Sequence, residues 1–547
     1  MATKKTVTLD GSTLTIDDII NVAEKGYAVE LGEGSRKKII AGRRKLEKQL
    51  RERPDIAVYG TNRLHGDLKN IAVQNSLINS YQVKYIKVHN CGTGDPVPVE
   101  IVRAMMVIRL NSFAKGLSGM KLDTCQLLVD MLNKKVTPWV LEEGSVGASG
   151  DLVPLAMIGA VMIELDEAQA YFVRKDSNGE KELMPAKKAL RKAGLKKIKL
   201  GAKEAMGLTN GSNFISAFAV FAVRDTERIL RSASISAALS LEAIRGEQKA
   251  FSELINEGSD RHEGQIVIAK QIRKLIEGSK RCSRKAQEHK FGGKIKGEER
   301  VQDRYSFRCA PQVHGALYEA IDKMKKTLSK EINSATDNPL FQFDRTGEDG
   351  GVLFASGGNF HGQALAAPID YLKITLTSLG LITDKRAFSL LDQRLSFGLP
   401  ADLANDTSKA DGGLMVLQYA GAARAAENRV LSTPASVMSV STAANQEDYV
   451  SMGSVGVIHL RKIIYNTQIL VGIELLCALR GLQLTYNKLP KGLRELGKGT
   501  QKVYNELSKP SHFPPEKTDR YLRTEMMRSI ELVKSGKLIE LVDGLLS

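Results

Sequence analysis

The stretch GSVGASGDLVPLA, Gly144–Ala156, interrupts an otherwise apolar, helix-rich part of the chain. Of its first eight residues only Val146 is neither small nor acidic. Glycine has no Cβ, so such a run lets a backbone bend back on itself. Held in a tight bend, the tripeptide Ala148-Ser149-Gly150 can cyclise. The amide nitrogen of Gly150 attacks the carbonyl carbon of Ala148, and loss of two waters, one carrying the Ser149 oxygen, leaves an exocyclic methylidene. That group is an electrophile no standard side chain supplies. The plainer reading of the same residues is a glycine-rich turn in which Asp151 caps a helix.

Beyond this loop the chain reads as long helices. Ser212–Leu239, Pro311–Asn333, Gly362–Leu391, Gly412–Asn428 and Ser454–Leu484 are rich in Ala, Leu and Ile. Several are apolar nearly all round, the pattern of helices buried inside a bundle. Polar segments with Gly, Asn, Asp and Pro separate them at 294–310, 336–361, 399–411 and 432–453. Before the loop, Val7–Leu14 alternates as a short strand, Asp17 and Asp18 open a helix, and Arg36–Arg53 is a charged amphipathic helix closed by Pro54. Val99–Leu132 keeps helical apolar spacing with Arg103, Arg109 and Lys115 outward. YFVRKDSNGEKELMP, 171–185, reads as a β-hairpin around Ser-Asn-Gly. The expected fold is mainly α: a large bundle of long helices preceded by a smaller, loop-rich mixed segment. The expected divisions are 1–206, 207–490 and a C-terminal helical extension, 491–547.

Composition narrows the function. A chain of 547 residues with 42% apolar and 26% charged residues is an ordinary globular protein with room for a large core. The net charge of +17 raises the question of nucleic acid. The basic runs Lys187–Lys203 and Lys270–Arg300 lack aromatics at stacking spacing, however, and read as solvated helix faces and loops. Cys91, Cys125, Cys282, Cys309 and Cys477 are odd in number and widely spaced, which argues against a disulfide framework and structural zinc. No metal is expected. The N-terminal MATKKTVTLDGSTLTIDD has no apolar run of the signal-peptide kind. The longest apolar stretches, around Phe214–Val223 and Ile469–Leu479, are short for a bilayer. A cytoplasmic protein with neither nucleic-acid nor membrane partners is expected.

With the Gly144–Ala156 loop as anchor, the chain resembles the phenylalanine, tyrosine and histidine ammonia-lyases and the related 2,3-aminomutases, over roughly residues 10–485. YGTNRLHG at Tyr59–Gly66, Arg103–Gly119, LTNGSNF at Leu208–Phe214, QDRYSFRCAPQVHGA at Gln302–Ala316, EINSATDNPL at Glu331–Leu340, SGGNFHGQ at Ser356–Gln363 and NQEDYVSMG at Asn445–Gly453 carry the resemblance. It implies a methylidene-imidazolone built from Ala148, Ser149 and Gly150, with no external cofactor. It also implies a homotetramer whose active sites each draw loops from three subunits. Tyr59 stands at the position of the β-proton base, and a phenol serves as a base only if the site stabilises phenolate. Arg308 resembles the arginine for the substrate carboxylate, which a planar guanidinium suits. Asn210, Tyr305, Asn338 and Gln446 stand at positions that bind the ring oxygen, the carboxylate or the amine, and Gln302 joins the same network. Neutral donors of this kind suit an oxyanion-type role. Phe360 matches an aromatic beside the ring, and Gly66, which closes the Tyr59 motif, is assigned to substrate binding. Taken singly, each is more often a satisfied core group or a surface residue; the motifs assign them.

Two departures from the family pattern bear on substrate. YGTNRLHG replaces the usual Thr-Gly-Phe with Arg63-Leu64-His65, a bulkier and more basic loop, whose new side chains either face the site or point to solvent. The pair before the glycine turn is Val88-His89, where phenylalanine, tyrosine and histidine types resemble Phe-Leu, His-Leu and Ser-His. His89 and Glu447 resemble the histidine type; Tyr449, Met157 and Gln418-Tyr419 do not. The expected small-molecule substrate is an aromatic L-α-amino acid losing ammonia to give the α,β-unsaturated acid, with L-histidine to urocanate preferred. The alternative is an L-tyrosine or L-phenylalanine ammonia-lyase or 2,3-aminomutase.

Overall fold

The computed structural model describes residues 5–148, 150–173, 180–289, 300–347, 350–515 and 517–546. It is dominated by long helices, as the apolar periodicity predicts. Two compact units emerge: Met1–Phe221 with Met324–Asp370 and Pro434–Ile458, and Ala222–Lys323 with Tyr371–Thr433 and His459–Ser547. Four of their five boundaries fall inside helices, Asn213–Ala243, Ala310–Glu331, Gln363–Leu391 and Gly453–Thr485, and the fifth, between Thr433 and Pro434, follows the helix Met415–Leu431.

The first unit is the mixed one. Thr6–Leu9 pairs in parallel with Ala28–Leu31. Between them the helix Ile16–Ala23 starts at a reciprocal Thr15–Asp18 cap, so Asp18 closes the first turn as its position suggests. The hairpin read from 171–185 is present: Gln169–Val173 pairs antiparallel with Lys181–Pro185, and Val136–Pro138 adds a third strand. Its Ser-Asn-Gly turn lies outside the described residues.

Four expectations for this unit are corrected. Val99–Leu132 is two helices, Val99–Ala114 and Leu122–Asn133. Between them Gly116 and Gly119 take φ of 75° and 65°, a left-handed conformation that ends a helix. Arg103 and Arg109 are not outward but 6% and 2% exposed. Arg103 donates to the carbonyls of Val22, Ala23 and Leu132, and Arg109 to those of Gly207 and Thr336. A guanidinium with five donors can be buried where carbonyls converge, which apolar spacing does not reveal. Part of 336–361 is a hairpin, Leu340–Thr346 with Val352–Ala355, that packs Phe341, Phe343 and Phe354 against Leu46 and Val58. Lys203, at the end of a run read as solvated, is fully buried with its Nζ 2.9 Å from both carboxylate oxygens of Asp337.

The second unit holds no strand among its described residues. Its interior contains an ion pair in which Arg386 Nε lies 2.6 Å from Glu474 Oε1 and both side chains are 0% exposed. Ser240 donates to the same carboxylate, supplying the extra hydrogen bond a buried pair requires. Arg281, in the second basic run, is also buried, donating to Glu242 O and Thr485 Oγ1. Both basic runs are therefore only partly solvated. The apolar stretches are also longer than the sequence suggested. Glu204–Ala243, Gln363–Leu391 and Gly453–Lys488 reach bilayer-spanning length and composition, with most of each apolar window buried in the protein.

Candidate active site

The small residues flanking Ser149, which itself lies outside the described residues, are fixed by the first unit's backbone. Gly150 has φ 81°, and a Cβ there would be driven into the backbone of Gly211. Gly147 has φ 67°, and a Cβ there would meet Ser451 Oγ at 2.5 Å. Only glycine fits either place. The loop is strung between other segments: Asp151 N–H donates to Gly211 O at 2.8 Å, Met452 N–H to Val146 O at 2.9 Å, and Gly362 N–H to Gly147 O at 3.1 Å. The Asp151 carboxylate accepts the N–H groups of Phe214 and Ile215 at 2.9 and 3.1 Å. It thus caps the helix beginning at Asn213, not the one that follows it in sequence. Burial pushes its carboxyl up to about 7 against those hydrogen bonds and one from Ser145. Gly150→Ala is expected to cost about 1–3 kcal/mol or more of stability, read as a lowered denaturant midpoint. An unchanged midpoint would show that the loop relaxes away from Gly211.

Asn210, beside Gly211, is 2% exposed. Its Nδ2 lies 3.2 Å from Met206 Sδ, and its Oδ1 is buried without a hydrogen-bond partner among the described residues. An orphaned buried amide oxygen is costly and marks a place where a bound group would be satisfied.

The Tyr59 segment folds on itself. Arg63 bridges to Ala72, Val73 N–H donates to Asn62 O at 3.0 Å, and the buried Asn62 side chain ties Ile56 O and Val58 N–H. Gly66 N–H donates to Tyr59 Oη at 2.9 Å. Burial raises the Tyr59 pKa, the Gly66 N–H opposes that, and the nearby Glu447 charge raises it further. The expected lowering of this phenol's pKa is thus not achieved by this chain's own neighbours.

A third segment supplies the acid. Ala443, Ala444 and Asn445 have φ of 46°, 51° and 66°, three successive non-glycine residues in the left-handed region. Such strain persists where surrounding structure holds it, and it collects at functional sites. Here it presents Gln446 and Glu447. Glu447 Oε2 accepts from Thr442 Oγ1 at 3.0 Å. Asn338 is held by Gly357 N–H on its Oδ1 at 2.9 Å and donates its own N–H to Asp337 Oδ1 at 2.7 Å.

These segments meet at one cleft of about 410 Å³, lined by Tyr59, Ala148, Asn210, Asn338, Phe360, Gln446 and Glu447 among others. Gly66, expected to bind substrate, does not line the cleft and meets Tyr59 through its N–H. His89 does not line the cleft; its ring stacks 4.0 Å from Tyr85 and its Nδ1 lies 2.8 Å from Tyr85 O. Gln302, Tyr305 and Arg308 belong to the second unit and line a cleft of about 720 Å³ there, with Arg300, Arg304 and Lys385. The Arg308 guanidinium lies 4.6 Å from the ring of Tyr305, itself 71% exposed. A cleft so rich in cations suits a carboxylate.

Tyr449, singled out as a departure from the histidine type, lines the first cleft, as do Lys69, Ser356, Gly357, His361 and Asp448, which sequence reasoning did not single out. All but Lys69 stand inside motifs already quoted; Lys69 gave no signal. Nor did it find that His65 turns inward against Tyr81, Tyr85 and His89. The spacing 81, 85, 89, one helix face, was the available clue.

Comparison with known proteins points to one family. Histidine ammonia-lyase 2 of Fusobacterium nucleatum subsp. nucleatum is 40% identical, over 99% of each chain. The crystal structure of histidine ammonia-lyase from Trypanosoma cruzi superposes with a TM-score of 0.84 at 32% identity, covering 99% of this chain and 96% of that one. Tyrosine aminomutase from Streptomyces globisporus superposes with a TM-score of 0.86 at 27% identity, over 98% of each. The aromatic amino acid lyase model matches residues 14–509, nearly the whole chain and every segment of the cleft; the chain belongs to the aromatic amino acid lyase family, and is a carbon–nitrogen lyase by that membership.

Proposed function

We propose that the chain is an ammonia-lyase that converts L-histidine to urocanate and ammonia, through a methylidene-imidazolone formed from Ala148, Ser149 and Gly150. The observation that carries the substrate assignment is the Glu447 carboxylate in the same cleft as Tyr59 and Ala148. A carboxylate meets an imidazole N–H in a charge-assisted hydrogen bond. Against a phenyl ring it would be a desolvated charge with nothing to pair with in the substrate. The names of the Fusobacterium and Trypanosoma relatives support the same reading.

The residues present fit the ring: a Cβ at 150 would strike the Gly211 backbone and one at 147 would meet Ser451 Oγ, so the loop keeps the small residues cyclisation needs, while the orphaned Asn210 Oδ1, an acceptor, would take a donor such as the substrate's amino group. What the methylidene-imidazolone supplies is an electrophile for the substrate's amino nitrogen, which turns a poor leaving group into a good one. Tyr59 takes the β-proton at its Oη, where Gly66 N–H favours phenolate. Asn210, Asn338 and Gln446, themselves neutral, hold the ring oxygen, the carboxylate or the amine, Phe360 packs beside them, and Glu447 orients the imidazole. In a cytoplasmic homotetramer, Gln302, Tyr305 and Arg308 of the partner subunit would bring a carboxylate-binding cation and offset the upward push on Tyr59.

The test is incubation of the purified protein with L-histidine, L-tyrosine and L-phenylalanine separately, reading ammonia and the conjugated acid in the near ultraviolet. Histidine alone should give both; β-amino acid formed without net ammonia would identify an aminomutase. Glu447→Gln is expected to lower kcat/KM for histidine roughly ten- to two-hundred-fold, the effect of about 1.5–3 kcal/mol from a buried charge-assisted hydrogen bond. Improved phenylalanine turnover, with no histidine activity in either protein, would overturn the substrate assignment.

A further inference from the structure

His65 replaces an aromatic that the Tyr59 motif usually carries, and it does not point to solvent. Its Nδ1 lies 3.0 Å from Tyr81 Oη. Its ring sits edge-on to Tyr85 at 4.5 Å and 5.0 Å from His89. Tyr81 and Tyr85 are 8% and 2% exposed on the helix Ile78–Val88. That helix is itself fixed: Gln82 donates to Gly60 O at 3.3 Å and accepts from Ala205 N–H at 2.9 Å. The wall against which His65 rests is therefore rigid. The residue after it, Gly66, has φ 59° and gives its N–H to Tyr59 Oη at 2.9 Å.

We propose that His65 is a positioning residue for Tyr59: bonded to Tyr81 and packed on Tyr85, it fixes the peptide whose Gly66 N–H reaches the phenol oxygen. The inference rests on Tyr59 being the base. Tyr81 and Tyr85 on the helix, Glu447 across the cleft and the Gly66 N–H are the groups felt at or by the Tyr59 oxygen. Lys69 and Asp448 also line the cleft. Glu447 disfavours phenolate there, and the Gly66 N–H favours it. Burial is the larger influence and also disfavours phenolate, so the 2.9 Å contact from that amide is what opposes both. His65 acts by position rather than charge, since burial and the neighbouring His89 bring its pKa down to about 4. It stays neutral at working pH.

The experiment compares kcat, KM and the pH profile of kcat for the wild type, His65→Ala, His65→Asn, Tyr81→Phe and Tyr59→Phe, with histidine as substrate. A base active as phenolate gives a rate that rises with pH through its pKa. In His65→Ala the rising limb should move up by about one pH unit, with kcat at neutral pH down about tenfold and KM nearly unchanged. Tyr81→Phe, which removes one oxygen and keeps the ring, should move the limb in the same direction. His65→Asn, whose amide can stand where Nδ1 stands, should recover most of the loss. An unshifted limb in Tyr81→Phe and His65→Ala, or a loss confined to KM, would overturn the proposal. If His65→Ala fails to fold, Tyr81→Phe decides alone. Tyr59→Phe separates the two readings: near-normal turnover there removes the base itself, whereas collapsed turnover there with an unshifted limb in the others removes only the positioning role.

Discussion

Replacing Ser149 with alanine is expected to lower turnover by several orders of magnitude while leaving the fold intact. The serine oxygen must depart as water for a methylidene to appear, and a methyl side chain has nothing to lose. Among the described residues the loop has a frame of its own. It is built from Gly147, Gly150 and the backbone bonds to Gly211, Gly362 and Met452. Alanine introduces no Cβ that serine lacks, so the thermal midpoint should hold. Steady-state kinetics on histidine together with a melting curve check both halves. Wild-type turnover in the variant would show that the electrophile lies elsewhere.

Tyr59→Phe is the second large effect. The ring stays and one oxygen is removed, so the cleft keeps its shape and the Gly66 N–H loses its acceptor. Binding should persist while kcat falls on the order of 10²–10⁴-fold, the worth of a positioned general base. Because burial and the Glu447 charge hold this phenol above its ordinary pKa in the single chain, wild-type activity should also climb with pH through the neutral range. Near-normal kcat in the variant would move the base to another group.

How much of this was legible in the sequence depended on what kind of signal each residue gave. Helices such as Gln363–Leu391 and Gly453–Thr485 were read to within about a residue, because an apolar period persists over many turns. Arg103, Arg109 and Lys203 were misplaced, because a charged residue on a helix looks alike whether it meets water or a buried carbonyl or carboxylate. The hairpin at Leu340–Ala355 was hidden in a segment dense with turn residues. Within the site, Tyr59, Ala148, Asn210, Asn338, Phe360, Gln446 and Glu447 are brought to one cleft from segments far apart in sequence. No local pattern foretells such a meeting; the motifs did. Lys69 was missed because it stands outside every quoted motif, and the inward turn of His65 because it stands where this chain departs from the motif. The left-handed run Ala443–Asn445 was invisible too, since two alanines give no hint of positive φ.

If this chain makes its own electrophile, the intact protein carries the change in its mass. The purified wild type should be lighter than its translated sequence by two waters, with the deficit mapping to the peptide that contains Ala148, Ser149 and Gly150, and Ser149→Ala should not show this two-water deficit. A catalytically active wild type with the full translated mass would contradict it.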